Sequence, residues 1–473
     1  MNTNRLCFLP LLICVVLSGC QSAPKPRGRT AVLDVPFVKQ EKWYCGAAAI
    51  SAHSRFYGRC ITQYEVASKL FSRKRGGIIN IHMNMFMREK GFWTKTLVLT
   101  DYTTEKIKKE NTCRLLQEIK KYIDRGHPVI ALIGPVSKNI FGMSFRVFVG
   151  PFFYVSDYED MVQLNHYVLI TGYDDDAKVF VMHNGQKPNV RISYRMFSEK
   201  WKKVDCWALV AVPPLRIEWE LSPEEMLDAG LILEQQEQYL HARAYYKKAL
   251  ERAAVIKNPE KKKELEFRIL FNTANVHLAL GDYDASERIL TSLQDKAGET
   301  GPLLNNLAEV YLNKKVHIDR AQAMVLKAIK KDSDNMVYYL DTQAMIFLER
   351  GDTEKARILL EQAMDIAPNK DTLSVLHYHM GKTYQTSRNF KKAFYHFRIA
   401  VDSVDEEKMP KRESEYTLRY ALCGLMIGKK DKAIEGFQKV IALDRGPLSL
   451  EARENLLNIT REPEKKEEPS KEK

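Results

Sequence analysis

The sequence predicts two domains of different class, an α+β domain followed by an all-α array of helical repeats. Three observations predict this. Between residue 31 and about residue 213, apolar β-branched runs bounded by Gly, Pro or Asp alternate with helical segments. After Pro223 the pattern is helical throughout, and small residues recur at fixed offsets. Pro213-Pro214 lies between the two patterns and continues neither. At 473 residues the chain is too long for one core, and its 45% hydrophobic and 28% charged content is that of a globular protein.

The amino terminus precedes both domains. Arg5 supplies a positive start, and Leu6 to Leu17 is apolar apart from Pro10, a stretch too short to span a bilayer comfortably. It closes on Leu17-Ser18-Gly19-Cys20. Small residues leading directly into a cysteine resemble the lipobox of bacterial lipoproteins, whose cysteine is alkylated by diacylglycerol before cleavage. The resemblance implies a signal peptide over 1–19 and a mature chain anchored to a membrane through a lipidated Cys20. Gln21 follows the cysteine where inner-membrane lipoproteins tend to carry Asp. That implies the cell envelope, and the periplasmic face of the outer membrane in a Gram-negative host. The alternative is a soluble secreted protein. Residues 20–30 are polar and rich in Pro and Gly, and read as a tether.

The formal charge of +13 resembles a nucleic-acid signal, but an exported address argues against nucleic acid as a partner. Most of the excess lies before about residue 215 in short clusters such as Arg73-Lys74-Arg75, which read as a solvated basic face or an attraction to anionic lipid. Of eight cysteines, Cys7 and Cys14 leave with the signal and Cys20 carries lipid, leaving Cys45, Cys60, Cys113, Cys206 and Cys423. No CxxC spacing occurs, so no metal or other cofactor is expected. Five is odd, so in an oxidising compartment at least one thiol stays unpaired, and Cys45 is the candidate.

In the α+β domain, an extended start over Val32 to Val38 precedes a helix after Cys45. Strands are expected at Val129 to Ile133, Tyr167 to Thr171, Val179 to Met182 and Ala208 to Val212. Met83, Met85 and Met87 alternate as in a strand but fit a helix end equally well, and the aromatic stretch Phe141 to Tyr154 fits core strands or a substrate-facing loop. The segment Gln40-Glu41-Lys42-Trp43-Tyr44-Cys45-Gly46-Ala47-Ala48-Ala49 places a cysteine just before small helix-forming residues. A thiol at a helix N-terminus feels the positive end of the dipole, which favours the thiolate. Gln40 can direct its amide N–H, with the backbone N–H of Cys45, at a carbonyl oxygen under attack. His166 opens a strand and can serve as the base. Asn184, or His183 beside it, can accept from Nδ1–H of His166 if the strands flanking Asp174-Asp175-Asp176 pair antiparallel.

Val35-Pro36-Phe37, Gln40, Cys45-Gly46, Gly126-His127-Pro128-Val129-Ile130, His166-Tyr167-Val168 and Gly172-Tyr173-Asp174, in that order, resemble the papain-like cysteine peptidases related to the bacteriocin-leader-processing family. That family cleaves after double-glycine leaders with Cys, His and Asp and a Gln in the oxyanion hole. The resemblance implies that residues 31–213 are a papain-like cysteine peptidase domain with Cys45 as nucleophile, His166 as base and acid, and Gln40 as oxyanion donor. The chain departs at the third position, where His183-Asn184-Gly185 stands in place of Asp-Pro. It also lacks a GxxxxGK[ST] loop, so it is not an exporter.

Gly230, Ala242, Tyr246 and Ala249 form one set of the recurring residues. Ala344, Ala356, Leu360 and Ala363 form another, and Gly381, Ala393, Phe397 and Ala400 a third, with Ala421, Ala433, Phe437 and Val440 repeating the spacing. A unit of about 34 residues with small residues where two helices touch resembles the tetratricopeptide repeat. Six units over 223–455 are expected, starting near 223, 267, 301, 337, 374 and 414, followed by a disordered charged tail over 462–473.

The functional expectation is a membrane-anchored cysteine peptidase acting on an envelope protein or peptide, with a protein partner or the substrate in the repeat groove. A peptide-binding scaffold without cleavage, and an acyl or amide transferase on the same fold, are the alternatives.

Overall fold

A computed structural model describes residues 29–72, 77–100, 104–134, 165–404, 409–444 and 446–460. The lipobox at 17–20, most of the tether, the aromatic stretch 141–154 and the charged tail lie outside the described residues. The chain divides into two compact units, one from the described residues of Met1–Ile78 and Thr96–Val210, the other from those of Ile79–Lys95 and Ala211–Lys473.

The elements of the first part of the chain are β1 (Thr30–Val32), α1 (Cys45–Phe56), α2 (Gln63–Leu70), α3 (Asn80–Glu89), β2 (Trp93–Leu97), α4 (Glu105–Asp124), β3 (Val129–Ile133), β4 (His166–Asp174), β5 (Val179–His183), β6 (Val190–Ser193), α5 (Tyr194–Trp201) and β7 (Ala208–Val212). The strands form a sheet in the order β2-β7-β3-β4-β5-β6, with β1 pairing against the end of β4. The β3–β4, β3–β7, β4–β5 and β5–β6 pairs are antiparallel.

Every residue of β3 and β7, and all of β4 except Asp174, is buried. That is why these strands read as continuous apolar runs rather than alternating ones. The α1 helix packs across β4. Its stretch from Gly46 to Ala49 is buried, because only small side chains let a helix backbone approach a sheet this closely. The expected extended start at Val32 to Val38 pairs only over Thr30–Val32; beyond it the chain is unladdered. Met83 and Met87 are buried on α3 while Met85 is exposed, which makes the methionine stretch helical.

Among the described residues the second unit carries thirteen helices after Pro214, α6 (Pro223–Gln235), α7 (Tyr239–Ala253), α8 (Pro259–Ala279), α9 (Tyr283–Ala297), α10 (Gly301–Lys314), α11 (Ile318–Lys331), α12 (Met336–Glu349), α13 (Thr353–Asp365), α14 (Lys370–Thr386), α15 (Phe390–Ser403), α16 (Pro410–Met426), α17 (Lys430–Leu443) and α18 (Pro447–Thr460). Side-chain caps set several starts. Ser222 and Glu225 form a capping box on α6, and Asn258, Asp282, Thr300, Asp352, Asn369 and Asn389 cap later helices. α8 begins at Pro259, two turns before the repeat expected near 267, and α18 follows the six helix pairs as a thirteenth helix.

The fixed offsets have a steric basis. A Cβ at Gly230 would lie 2.3 Å from the ring of Tyr246, and one at Gly381 would lie 2.6 Å from the ring of Phe397. Each aromatic ring occupies the space that the glycine leaves, and Ala242, Ala249, Ala393 and Ala400 beside them are fully buried.

One contact ties distant repeats together. Glu237, in the α6–α7 turn, accepts the backbone N–H of both Lys411 and Arg412 at 3.1 Å. Nε of Arg412 lies 3.3 Å from the same carboxylate, and the Lys411 ammonium sits 6.0 Å from the Tyr239 ring. A carboxylate of the first repeat thus caps the N-terminus of α16 in the sixth.

Candidate active site

Cys45 is the first residue of α1, where the helix has unpaired N–H groups and the positive end of its dipole. Its thiol hydrogen-bonds the imidazole of His166, the first residue of β4. Burial pushes the Cys45 thiol up, but the hydrogen bond and charge of His166, with the backbone N–H groups of Tyr167 and Gly46, more than offset it. The thiol therefore lies below its ordinary range. Burial likewise depresses His166, yet Cys45 and the Asn184 carbonyl outweigh that and the opposing charge of Lys200, and the imidazole lies above its ordinary range. The two shifts stabilise the same state, a thiolate paired with an imidazolium.

The support of His166 comes from the main chain. Its Nε2 lies 2.8 Å from the carbonyl oxygen of Asn184. A carbonyl only accepts, so Nε2 carries the proton and Nδ1 is the basic nitrogen left for the thiol. The sequence expectation placed a side chain of residue 183 or 184 against Nδ1–H. The structure differs in both respects, because β5 ends at His183 and the chain turns there, bringing the peptide of Asn184 to the ring.

The Asn184 side chain instead builds that turn, its Oδ1 accepting from the N–H groups of Gln186 at 3.0 Å and Lys187 at 2.7 Å. His183 faces another way. Its Nε2 donates to the carbonyl of Val35 at 2.8 Å, its Nδ1 accepts from the N–H of Asn189 at 3.3 Å, and its ring meets Phe37 edge-on. With both nitrogens engaged in the fold, His183 is a clamp on the segment leading to Gln40 and not the orienter of His166.

Gln40 is held by the same turn. Its N–H donates to the carbonyl of Gly185 at 2.8 Å, and its Oε1 is buried against Gly185 with no hydrogen-bond partner. Gly185 has φ +80°, and a Cβ there would fall 1.9 Å from Oε1 of Gln40. Consecutive carbonyls, of Asn184 and Gly185, therefore hold the imidazole and the glutamine. Oε1 is thus packed on the turn, and Nε2 is the other end of the amide.

The residue two before the thiol, Trp43, has φ +72° and is exposed, with the Lys42 ammonium 5.7 Å from its ring. A non-glycine residue in that region is strained, and strain of this kind collects at functional sites. A small cavity beside Cys45 is lined by Val38, Ala49, Ala52, Tyr167 and Leu169. Among the described residues no cluster of His, Cys, Asp and Glu could hold a metal ion, and none of the five cysteines is in a disulfide.

Sequence reasoning overlooked Gln63. From the start of α2 its Oε1 accepts from the N–H of Glu41 at 3.1 Å and its Nε2 donates to the carbonyl of Lys39 at 3.0 Å. No local pattern marks it, since the contact joins residues 22 to 24 positions apart. Gly185 was visible as half of an Asn-Gly turn signal, but its closeness to Gln40 was not.

Residues 32–209 match the model of the Peptidase_C39 like family, and residues 227–302 match a tetratricopeptide-repeat model. The cell division cycle protein 27 homolog A of Arabidopsis thaliana is 36% identical over 86 residues, which are 18% of this chain and 11% of the relative's length. Among solved structures, the APC/C hetero-tetramer Cut9-Hcn1 is 12% identical with a TM-score of 0.41, covering 51% of this chain and 43% of that one. The pilF protein of Pseudomonas aeruginosa is 14% identical with a TM-score of 0.34, covering 50% of this chain and 97% of that one. The class defined is a cysteine-peptidase-like fold joined to a helical repeat array. The chain carries a Peptidase_C39-like domain followed by tetratricopeptide repeats.

Proposed function

We propose that this protein is a cysteine peptidase, held at a membrane surface through lipid on Cys20, that hydrolyses peptide bonds of an envelope protein or peptide recruited by its repeats. The observation that carries the reading is the hydrogen-bonded pair of Cys45 and His166, with Nε2 of the imidazole fixed on the Asn184 carbonyl at 2.8 Å.

In this reading Nδ1 of His166 holds the thiol proton, and the thiolate attacks the scissile carbonyl carbon. The oxyanion that forms is met by Nε2 of Gln40 and the N–H of Cys45 at the helix N-terminus. The imidazolium then donates its proton to the leaving amine, giving a thioester and a neutral imidazole. Water, deprotonated by Nδ1, attacks the thioester carbon, and the C–S bond breaks to release the acid and restore the Cys45 thiolate beside the imidazolium. Anchoring is supported by Leu17-Ser18-Gly19-Cys20, and recruitment by the repeat array.

The test is incubation of the purified chain with a peptide library, alongside Cys45→Ala. Cleavage by the unaltered chain alone supports the proposal. Binding without cleavage identifies a scaffold, and transfer of the acyl group to an added amine identifies a transferase.

A further inference from the structure

Gln63 is a buried polar side chain whose role the chemistry above leaves open. It is 8% exposed, and its amide grips the peptide groups on both sides of Gln40, accepting from Glu41 N–H and donating to the Lys39 carbonyl. A primary amide suits this because it offers one acceptor and one donor in a single plane. The frame behind it is fixed. Thr62 caps α2 by accepting from Glu65 N–H at 3.1 Å. The buried hydroxyl of Ser51 on α1 donates to the carbonyl of Ile61 at 2.7 Å. The chain of contacts thus runs from the helix that starts at Cys45, through Ile61 to Gln63, and on to the two peptides bracketing Gln40. On its other side, Gln40 N–H is held by Gly185.

We infer that Gln63 is a positioning residue for the oxyanion donor, setting the distance between the amide of Gln40 and the thiol of Cys45. The inference rests on the peptidase reading and adds a residue to it. Its chemical content is specific. The hydrogen bonds of Gln63 go to the main chain at Glu41 and Lys39, so it is expected to leave thiolate formation untouched and to act where negative charge develops on the carbonyl oxygen. An oxyanion donor is worth about 10²- to 10³-fold in kcat, and displacing it without removing it costs a share of that.

The test uses Gln63→Leu, which keeps the bulk and removes both hydrogen bonds, and Gln63→Glu, which keeps the acceptor for Glu41 and loses the donor to Lys39. Three quantities are read, namely alkylation of Cys45 by iodoacetamide, which needs no oxyanion hole, kcat and KM on a peptide the unaltered chain cleaves, and affinity for the matching peptide aldehyde, whose thiol adduct carries the oxyanion. The expected result for Gln63→Leu is alkylation within about twofold, a kcat lowered about 10- to 100-fold with KM within about threefold, and aldehyde affinity lowered in step with kcat. Gln63→Glu falls between. In a Gln40→Ala background Gln63→Leu has no further effect on kcat, because the two act as one unit.

Equal kcat in Gln63→Leu and the unaltered chain overturns the inference, as does full additivity with Gln40→Ala. Alkylation falling as far as kcat assigns Gln63 to general packing around Cys45 and overturns it as well. Absence of Cys45-dependent cleavage by the unaltered chain overturns the peptidase reading itself.

Discussion

The imidazole of His166 is oriented by the peptide carbonyl of Asn184, 2.8 Å from Nε2. A main-chain orienter survives substitution of the residue that bears it, provided the turn keeps its shape. The turn depends on Oδ1 of Asn184, which accepts two N–H groups. Asn184→Asp keeps that acceptor and is expected to retain kcat/KM within about threefold, whereas Asn184→Ala loses the turn's bracing, costs about 1–2 kcal/mol of stability and lowers kcat about tenfold. Steady-state kinetics and thermal melting of both variants check this. An Asp variant as impaired as the Ala variant would contradict the bracing role of Oδ1.

Gly185 accepts a side chain poorly, since its φ of +80° is strained for any residue with a Cβ. At φ +80° with a Cβ 1.9 Å from Gln40 Oε1, Gly185→Ala must shift both the turn and the glutamine. The expected cost is about 2–3 kcal/mol of stability, with kcat lowered further than Asn184→Ala lowers it. Denaturant melts and kinetics on the same preparation measure both.

His183 gives a pH dependence of stability. Burial depresses its pKa more than the Val35 carbonyl raises it, so the folded state favours the neutral ring. A depressed histidine contributes stability that is fully present above the unfolded value of about 6.5 and is lost as pH falls through the lower folded value. The unaltered chain is therefore expected to lose stability as pH drops below about 6.5, and His183→Gln to show a flatter curve there. Because His183 is a clamp, the same variant is expected to alkylate at Cys45 within about threefold of the unaltered rate. Melts between pH 5 and 7 with the alkylation rate in parallel decide it.

Glu237 joins the first and sixth repeats, and its carboxylate is almost wholly buried. Glu237→Ala leaves the Arg412 guanidinium and two N–H groups of α16 without their acceptor. Since Arg412 is partly solvated, the expected cost is about 2 kcal/mol. Hydrogen exchange is expected to quicken at the N-terminus of α16 first, with cleavage of a short peptide unchanged.

The strands β3, β5 and β7, the helix after Cys45 and the repeat spacing were legible because each is written in local pattern, namely apolar runs between breakers, small residues after a cysteine, and small residues spaced by twelve and seven. Strand β6, with alternate exposure in only four residues, carries too short a pattern to read. Cys45, His166 and Gln40 were legible as candidates through residue type and order. The orienter was not, because a peptide carbonyl belongs to every residue and only the path of the chain after His183 selects that of Asn184. Gln63 was hidden for a related reason, since its partners are main-chain groups of a distant loop.

In the proposed peptidase, Cys45 is a thiolate activated by His166. The most direct test of that activation is the rate of alkylation by iodoacetamide at each cysteine as a function of pH. Burial pushes the Cys423 thiol up to about 11 and raises that of Cys206, so these two remain slow. The thiolate of Cys45 forms as pH rises through its lowered pKa, and its imidazolium partner is lost only as pH rises through the raised pKa of His166. Cys45 is therefore predicted to alkylate at about pH 6 at least tenfold faster than the exposed Cys60 and Cys113, and His166→Ala to remove that advantage. Equal rates at Cys45, Cys60 and Cys113 near pH 6, or a Cys45 rate indifferent to His166→Ala, would contradict the account.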